Sequence, residues 1–286
     1  MEKKLTSQGP KGRESYTLTL PKKWVTNLQL DKTKKVDLEI IGNKIIIADK
    51  NPPPQKSTLD MNSYKSTLHK TIPAMYKLGI KEIKFANTNT KISEEISKII
   101  RNKLIGFETI EHKKNYLIVS EIVKESEEDF KTILRRIFLL LLEFNKNPKS
   151  AKMINQNINR LYNYCQKTLI KKGHTEFQKI PFYFLLLDQL EKIADEFEWI
   201  LETKRSNEEK SILNEITNLL EGLYQVFYKF DAEKYSKVQK RTFELKQEIK
   251  LSNKINLATM NLHNLARLLN SLSGTIFAIK LDQKTN

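Results

Sequence analysis

The sequence predicts a mainly α fold: a small β unit at the start of the chain, a short α/β module after it, and a helical bundle running to the end. Three observations lead there. Only eight Gly and eight Pro occur in 286 residues, too few to turn the chain at every strand end of a β-sandwich. Short β-branched or alternating runs crowd the first fifty residues, and beyond Glu125 apolar residues recur at helical spacing.

Within residues 1–50, the runs at 15–20, 36–41 and 44–48 read as strands. Gly42-Asn43 supplies the residue types that a tight hairpin turn demands. The segment 21–28, with Pro21 at a first-turn position and Trp24, Val25 and Leu28 apolar, predicts a short helix. A Pro-rich stretch over 51–60, with Pro52, Pro53 and Pro54, reads as a semi-rigid linker. The α/β module follows over 61–123: a helix over 62–78, a strand at 81–86, a helix over 93–104 stopped by Gly106, and strands at 107–110 and 116–123 joined by a turn at 112–115. From 124 to 286 the chain divides at 145–148, 173–174, 205–207, 230–231 and about Ser252, giving six helices arranged as two antiparallel three-helix units. A weak repeat, EKIAD at 191–195 against ARLLN at 266–270, falls near the ends of the two third helices.

Fifty basic against 34 acidic side chains leave a formal charge of +16, which calls for an anionic partner or a great deal of screening, while 39% hydrophobic residues supply a core. The lone Cys165 rules out a disulfide within the chain and any CxxC site, as expected of a cytoplasmic protein. It lies beside Tyr162, Tyr164 and Leu169, as a buried inert thiol would. The first residues carry positive charge with no apolar stretch after it, and no run approaches the length of a membrane span, so neither export nor membrane insertion is expected. His69, His112, His174 and His263 are scattered, and no Walker A, GxGxxG, GxSxG or HExxH motif occurs; an enzyme is not expected. Phe177, Phe182, Tyr183 and Phe184 read as core, or else as a partner surface.

The first fifty residues bury too little to stand alone without metal or disulfide, so they should pair with a second copy or the next domain. The stretch GRESYTLTLPKKWVTNLQLDKTKKVDLEIIGNKIIIAD, most specifically its residues 15–24, resembles the SpoVT/AbrB swapped-hairpin DNA-binding domain. It departs from that pattern at Gln29, Thr33 and Lys34, where glycines and an acidic turn are usual. The resemblance implies a homodimer that contacts double-stranded DNA through Lys3, Lys4, Lys11, Gly12, Arg13, Lys22 and Lys23. Against Glu2 and Glu14 these six bases leave +4 per chain, a phosphate footprint whose one guanidinium, Arg13, suits a guanine edge.

LDQLEKIADEFEWI, ending at Ile200, resembles the signature of the PhoU family. LIGFETIE, YLIVSEI and NINRLYNYCQKTL resemble further segments of archaeal PhoU-like proteins, which often carry a SpoVT/AbrB head. The joint resemblance implies a transcriptional regulator of phosphate uptake whose bundle senses a signal or docks a phosphate ABC transporter or its signalling partner. A transport accessory protein without DNA binding, an antitoxin-like autoregulator and a general DNA-coating protein are the competing readings. Asp188, Glu191, Asp195, Glu198 and Glu202 recur at steps of three and four, on one helical stripe. The stripe reads as a solvated helix face, or, since Glu191 and Asp195 match the family's ExxxD metal motif, as a weak divalent or iron-type site; no cofactor is required. Where the family places acids, this chain has Asn155, Asn157 and Asn159, with Ala266 and Asn270 in the second repeat.

Overall fold

The computed structural model describes residues 3–28, 30–41, 44–48, 55–123, 127–174, 176–252 and 256–281. The chain forms two compact units, residues 1–53 and 54–286.

In the first unit β1 (Thr6–Gln8) pairs antiparallel with β2 (Ser15–Thr17), and α1 (Lys22–Asn27) and α2 (Leu30–Thr33) precede the hairpin of β3 (Asp37–Ile41) and β4 (Lys44–Ala48). β1 and α2 add to the expected elements, and the expected turn at Gly42-Asn43 lies outside the described residues. Thr6-Ser7-Gln8 holds no apolar residue, so only its pairing with β2 makes it a strand. Leu30 is the buried hydrophobic residue of this unit, whereas Tyr16, Trp24, Leu38, Ile40 and Ile45 are exposed. Among the described residues a single copy therefore has almost no core.

The second unit opens with a four-stranded sheet of order β5-β6-β8-β7, made of β5 (Lys56–Asp60), β6 (Glu82–Ala86), β7 (Phe107–Lys113) and β8 (Tyr116–Glu121). β5 runs parallel to β6 and the remaining pairs are antiparallel. β5 occupies the second half of the expected Pro-rich linker. One apolar residue in five, Leu59, hides such a strand until β6 pairs with it. The expected helix over 62–78 is broken into α3 (Met61–Tyr64) and α4 (Leu68–Lys77), and α5 (Thr90–Lys103) starts earlier than expected because Asn89 caps it through the Ile92 amide at 3.0 Å. Ile83, Phe85, Leu117 and Val119 alternate along β6 and β8 and are buried with Ile72, Tyr76, Ile96 and Ile99 of the helices. One core thus lies between the helices and one face of the sheet.

The rest is helical: α6 (Glu127–Glu143), α7 (Ala151–Lys172), α8 (Ile180–Glu202), α9 (Asn207–Tyr228), α10 (Ala232–Leu251) and α11 (Leu257–Lys280), with 3-10 turns at Pro148–Ser150 and Phe177–Lys179. Their ends are chemically marked. Gly173 at φ +73° follows α7, Ser206 and Glu209 form a capping box on α9, and Asp231 and Asn256 cap α10 and α11. α6, α7 and α8 pack on one another, as do α9, α10 and α11, and the two sets meet along α8–α11 and α6–α9 around a single apolar core. In that core Phe144 and Phe197 stack with ring centroids 5.3 Å apart. EKIAD and ARLLN do occupy matching places, but in the middle of α8 and α11 rather than near their ends. No helix among the described residues is long and apolar enough to cross a membrane.

The α/β core and the bundle core meet across α7. Lys167, 1% exposed, reaches out of α7 to pair with Glu121 of β8, and its ammonium lies 4.4 Å from the Tyr76 ring centroid and 5.1 Å from that of Phe107. Lys171, one turn on, lies 3.3 Å from the same carboxylate. Asn163 donates to the Lys103 carbonyl at 3.0 Å, so α7 also holds the end of α5.

Candidate functional site

The basic residues expected to meet DNA are exposed. Lys11, Gly12 and Arg13 lie in the connection between β1 and β2, where Gly9 (φ +111°) and Gly12 (φ +90°) hold backbone conformations that other residues resist. The turn is closed by the Arg13 amide donating to the Pro10 carbonyl at 2.9 Å. Backbone amides of Gly12 and Glu14 hold the Glu14 carboxyl below its ordinary value, so the acid is engaged by the loop itself. Lys3 and Lys4 lie just before β1, and Lys22 and Lys23 open α1, all four exposed. Pairing of Thr6 with Thr17 and Gln8 with Ser15 fixes the loop at the hairpin's end.

The acidic stripe of α8 is not a solvated face throughout. Asp188, Glu191, Asp195 and Glu198 are half-buried, and Glu202 alone of the five is exposed. The reason is tertiary: α7 lies against α8, and Asn155 Nδ2 donates to Asp195 at 2.8 Å and to Glu198 at 2.5 Å. Asn159 in turn donates to Asn155 Oδ1 at 3.1 Å. Asn155 thus acts as a neutral donor to two carboxylates, and Asn159 holds its amide oxygen in turn.

Burial first, then the like charges of Asp195 and Asp188, push the Glu191 carboxyl up to about 7, against the pull of Lys70 and Lys103. Burial lowers the Lys77 amine, which Glu191 and Asp188 act to raise, and its ammonium stands 5.4 Å from the Tyr162 ring centroid. Glu191 therefore faces lysines of α4 and α5, while Asp195 faces the amide of α7. Among the described residues no group of three or more His, Cys, Asp or Glu is arranged to hold a metal.

The remaining candidates spread out. His69 lies 3.5 Å from Glu95 on the surface, and buried His174 accepts the Glu176 amide at 3.1 Å and packs 4.4 Å from the Tyr183 ring. Cys165 is fully buried and its thiol is pushed far up by that burial. The aromatic cluster divides, Tyr183 buried and Phe184 packed on the core, Phe177 and Phe182 each 40% exposed.

Sequence reasoning missed a cavity of about 400 Å³ lined by Phe130, Lys131, His174, Tyr183, Tyr228 and Lys280, and a chain of cavities around Arg101 and Arg160. Their residues come from four or more elements, and no local pattern announces such convergence. No family model, curated protein or solved structure matches the chain.

Proposed function

We propose that the chain is a DNA-binding transcriptional regulator of phosphate uptake, in which two N-terminal units pair and present their basic loops to double-stranded DNA. The bundle, read as PhoU-like with two three-helix units, senses a signal or docks a transporter or its signalling partner. The observation that carries the DNA reading is the exposed turn of Lys11, Gly12 and Arg13, set at the end of a hairpin with Lys22 and Lys23 on the same small unit. Dimerisation is supported by the unit's unburied apolar side chains, which a second copy would cover. The phosphate reading rests on the sequence resemblance and is supported by the six-helix bundle behind an α/β module. With asparagines where acids are usual, any cation at Glu191 and Asp195 would be held weakly.

Fluorescence anisotropy over a salt series tests it, comparing the gene's own upstream region with random duplex for the wild type and Arg13→Ala. Specific binding should fall steeply with salt, and the substitution, removing two cations per dimer, should lower the slope of log K against log salt by about 2. Loss of a bidentate guanine contact would cost about 1–3 kcal/mol at each half-site. No binding at moderate salt would exclude the regulator and favour the transport-accessory role, while equal binding to both duplexes would favour a DNA coat.

A further inference from the structure

Arg101 lies in the last turn of α5 and Arg160 on α7, and both line a cavity of about 260 Å³ together with Ser97, Gly106, Glu108 and Thr109. Arg160 also borders a neighbouring cavity of about 380 Å³ that contains Arg136, and Arg101 one of about 520 Å³ that contains Ser93, Lys98 and His112. Three cavities therefore adjoin through two guanidinium groups.

Three other arginines of the chain have side-chain partners. Arg241 bonds Glu215 and Glu248, Arg136 bonds Glu143 at 3.0 Å, and Arg135 bonds the Tyr224 hydroxyl at 3.2 Å. Arg101 and Arg160 have no such ion pair or hydrogen bond among the described residues, and the Arg160 Nε is shut away from solvent with no partner in the protein. A charged donor so placed is costly unless an anion completes it. The floor of the cavity suits one. There the start of β7, the edge strand of the sheet, contributes Phe107, Glu108 and Thr109 to the lining. Gly106, at φ +73°, turns the chain into that strand, and a Cβ there would meet the Val123 Cβ at 2.9 Å.

We infer that Arg101 and Arg160 clasp the phosphate group of a small anionic ligand, inorganic phosphate or a phosphomonoester, in this cavity. A guanidinium offers a planar fork of N–H donors that fits two oxygens of one phosphate, and two forks from different helices fix its orientation. Glu108 on the rim accepts a hydrogen bond from a protonated phosphate oxygen and keeps the site from being a general trap for anions. The site would give the bundle its signal, and for that meaning it rests on the regulatory reading above; its chemistry does not.

Calorimetric titration of the full-length protein at constant ionic strength, with inorganic phosphate and separately with adenosine monophosphate, tests the site in wild type, Arg101→Gln, Arg160→Gln, Arg160→Lys and Arg13→Ala. One saturable site per chain is expected. Each glutamine variant should weaken it by about ten- to a hundredfold, with Arg160→Lys in between, as charge without a fork would give. Arg13→Ala should leave it unchanged while weakening DNA, so failure of the DNA reading and failure of this one are told apart. Arg101 is exposed, so its variant reports on binding even where Arg160→Gln disturbs folding. Tighter binding of one titrant names the source of the phosphate group. The inference is overturned if neither titrant saturates, if both glutamine variants bind as wild type does, or if only Arg13→Ala abolishes binding.

Discussion

Replacing Lys167 by Met removes the charge at the seam between the two cores while nearly keeping the length and volume of the side chain. Lys167 is 1% exposed and Glu121 8%, so the substitution leaves a carboxylate away from water with Lys171, 22% exposed and 3.3 Å away, as the cation still beside it. Breaking one side of a buried pair costs about 3–5 kcal/mol, and the surviving Lys171 places this case at the lower end, about 3 kcal/mol. Loss of the cation's contacts with Tyr76 and Phe107 adds about 1 kcal/mol, which the burial of an apolar Met side chain offsets by a similar amount. A net loss of about 3 kcal/mol corresponds to a fall of about 6–12 °C in Tm for a unit of this size. Thermal and urea unfolding followed by circular dichroism measure it, with hydrogen exchange reporting whether β7 and β8 open first. The double variant Lys167→Met with Glu121→Leu should recover at least half of the loss, since no charge is then stranded. A single variant within about 1 kcal/mol of wild type, or a double variant no better than the worse single, would refute the reasoning.

Two further substitutions test other parts of the molecule. The Glu191 carboxyl, raised to about 7 by burial and by Asp195 and Asp188, has its charged form disfavoured in the folded chain; the penalty is present above that value and is relieved as pH falls from 7 toward its ordinary 4.5. Glu191→Gln should therefore stabilise by about 3 kcal/mol at most near pH 8 and by nothing below about pH 4.5, as read from Tm across a pH series; an equal gain at both ends would show that charge is not the cause. Ile40 and Ile45 are cross-strand partners exposed at 78% and 71%; if two N-terminal units pair as proposed, Ile40→Lys should leave a single copy's fold intact and weaken self-association, moving sedimentation from dimer toward monomer. An unchanged dimer would remove β3 and β4 from the pairing surface.

The helical half was legible because its punctuation is local. Pro148, Gly173, Ser206, Asp231 and Asn256 stop or cap helices through groups within a few residues of themselves, so the divisions between helices could be set without a structure. The exposed charge at Lys11 and Arg13 and the burial of Cys165 were legible for a similar reason, clustered charge in one case and apolar helical neighbours in the other. Local pattern failed for β5, whose partner β6 lies beyond two helices, and for the acidic stripe, whose exposure depends on Asn155 forty positions upstream of Asp195. The meeting of Arg101 with Arg160, and the burial of Lys167 against Glu121, belong wholly to packing. Sequence by itself determined where the helices of the bundle are divided, because capping and backbone sterics act within a turn or two of chain. Only the tertiary structure decided which charges are paired, half-buried or left facing a cavity, because solvation and Coulomb interactions depend on what packs nearby, whatever its distance along the chain.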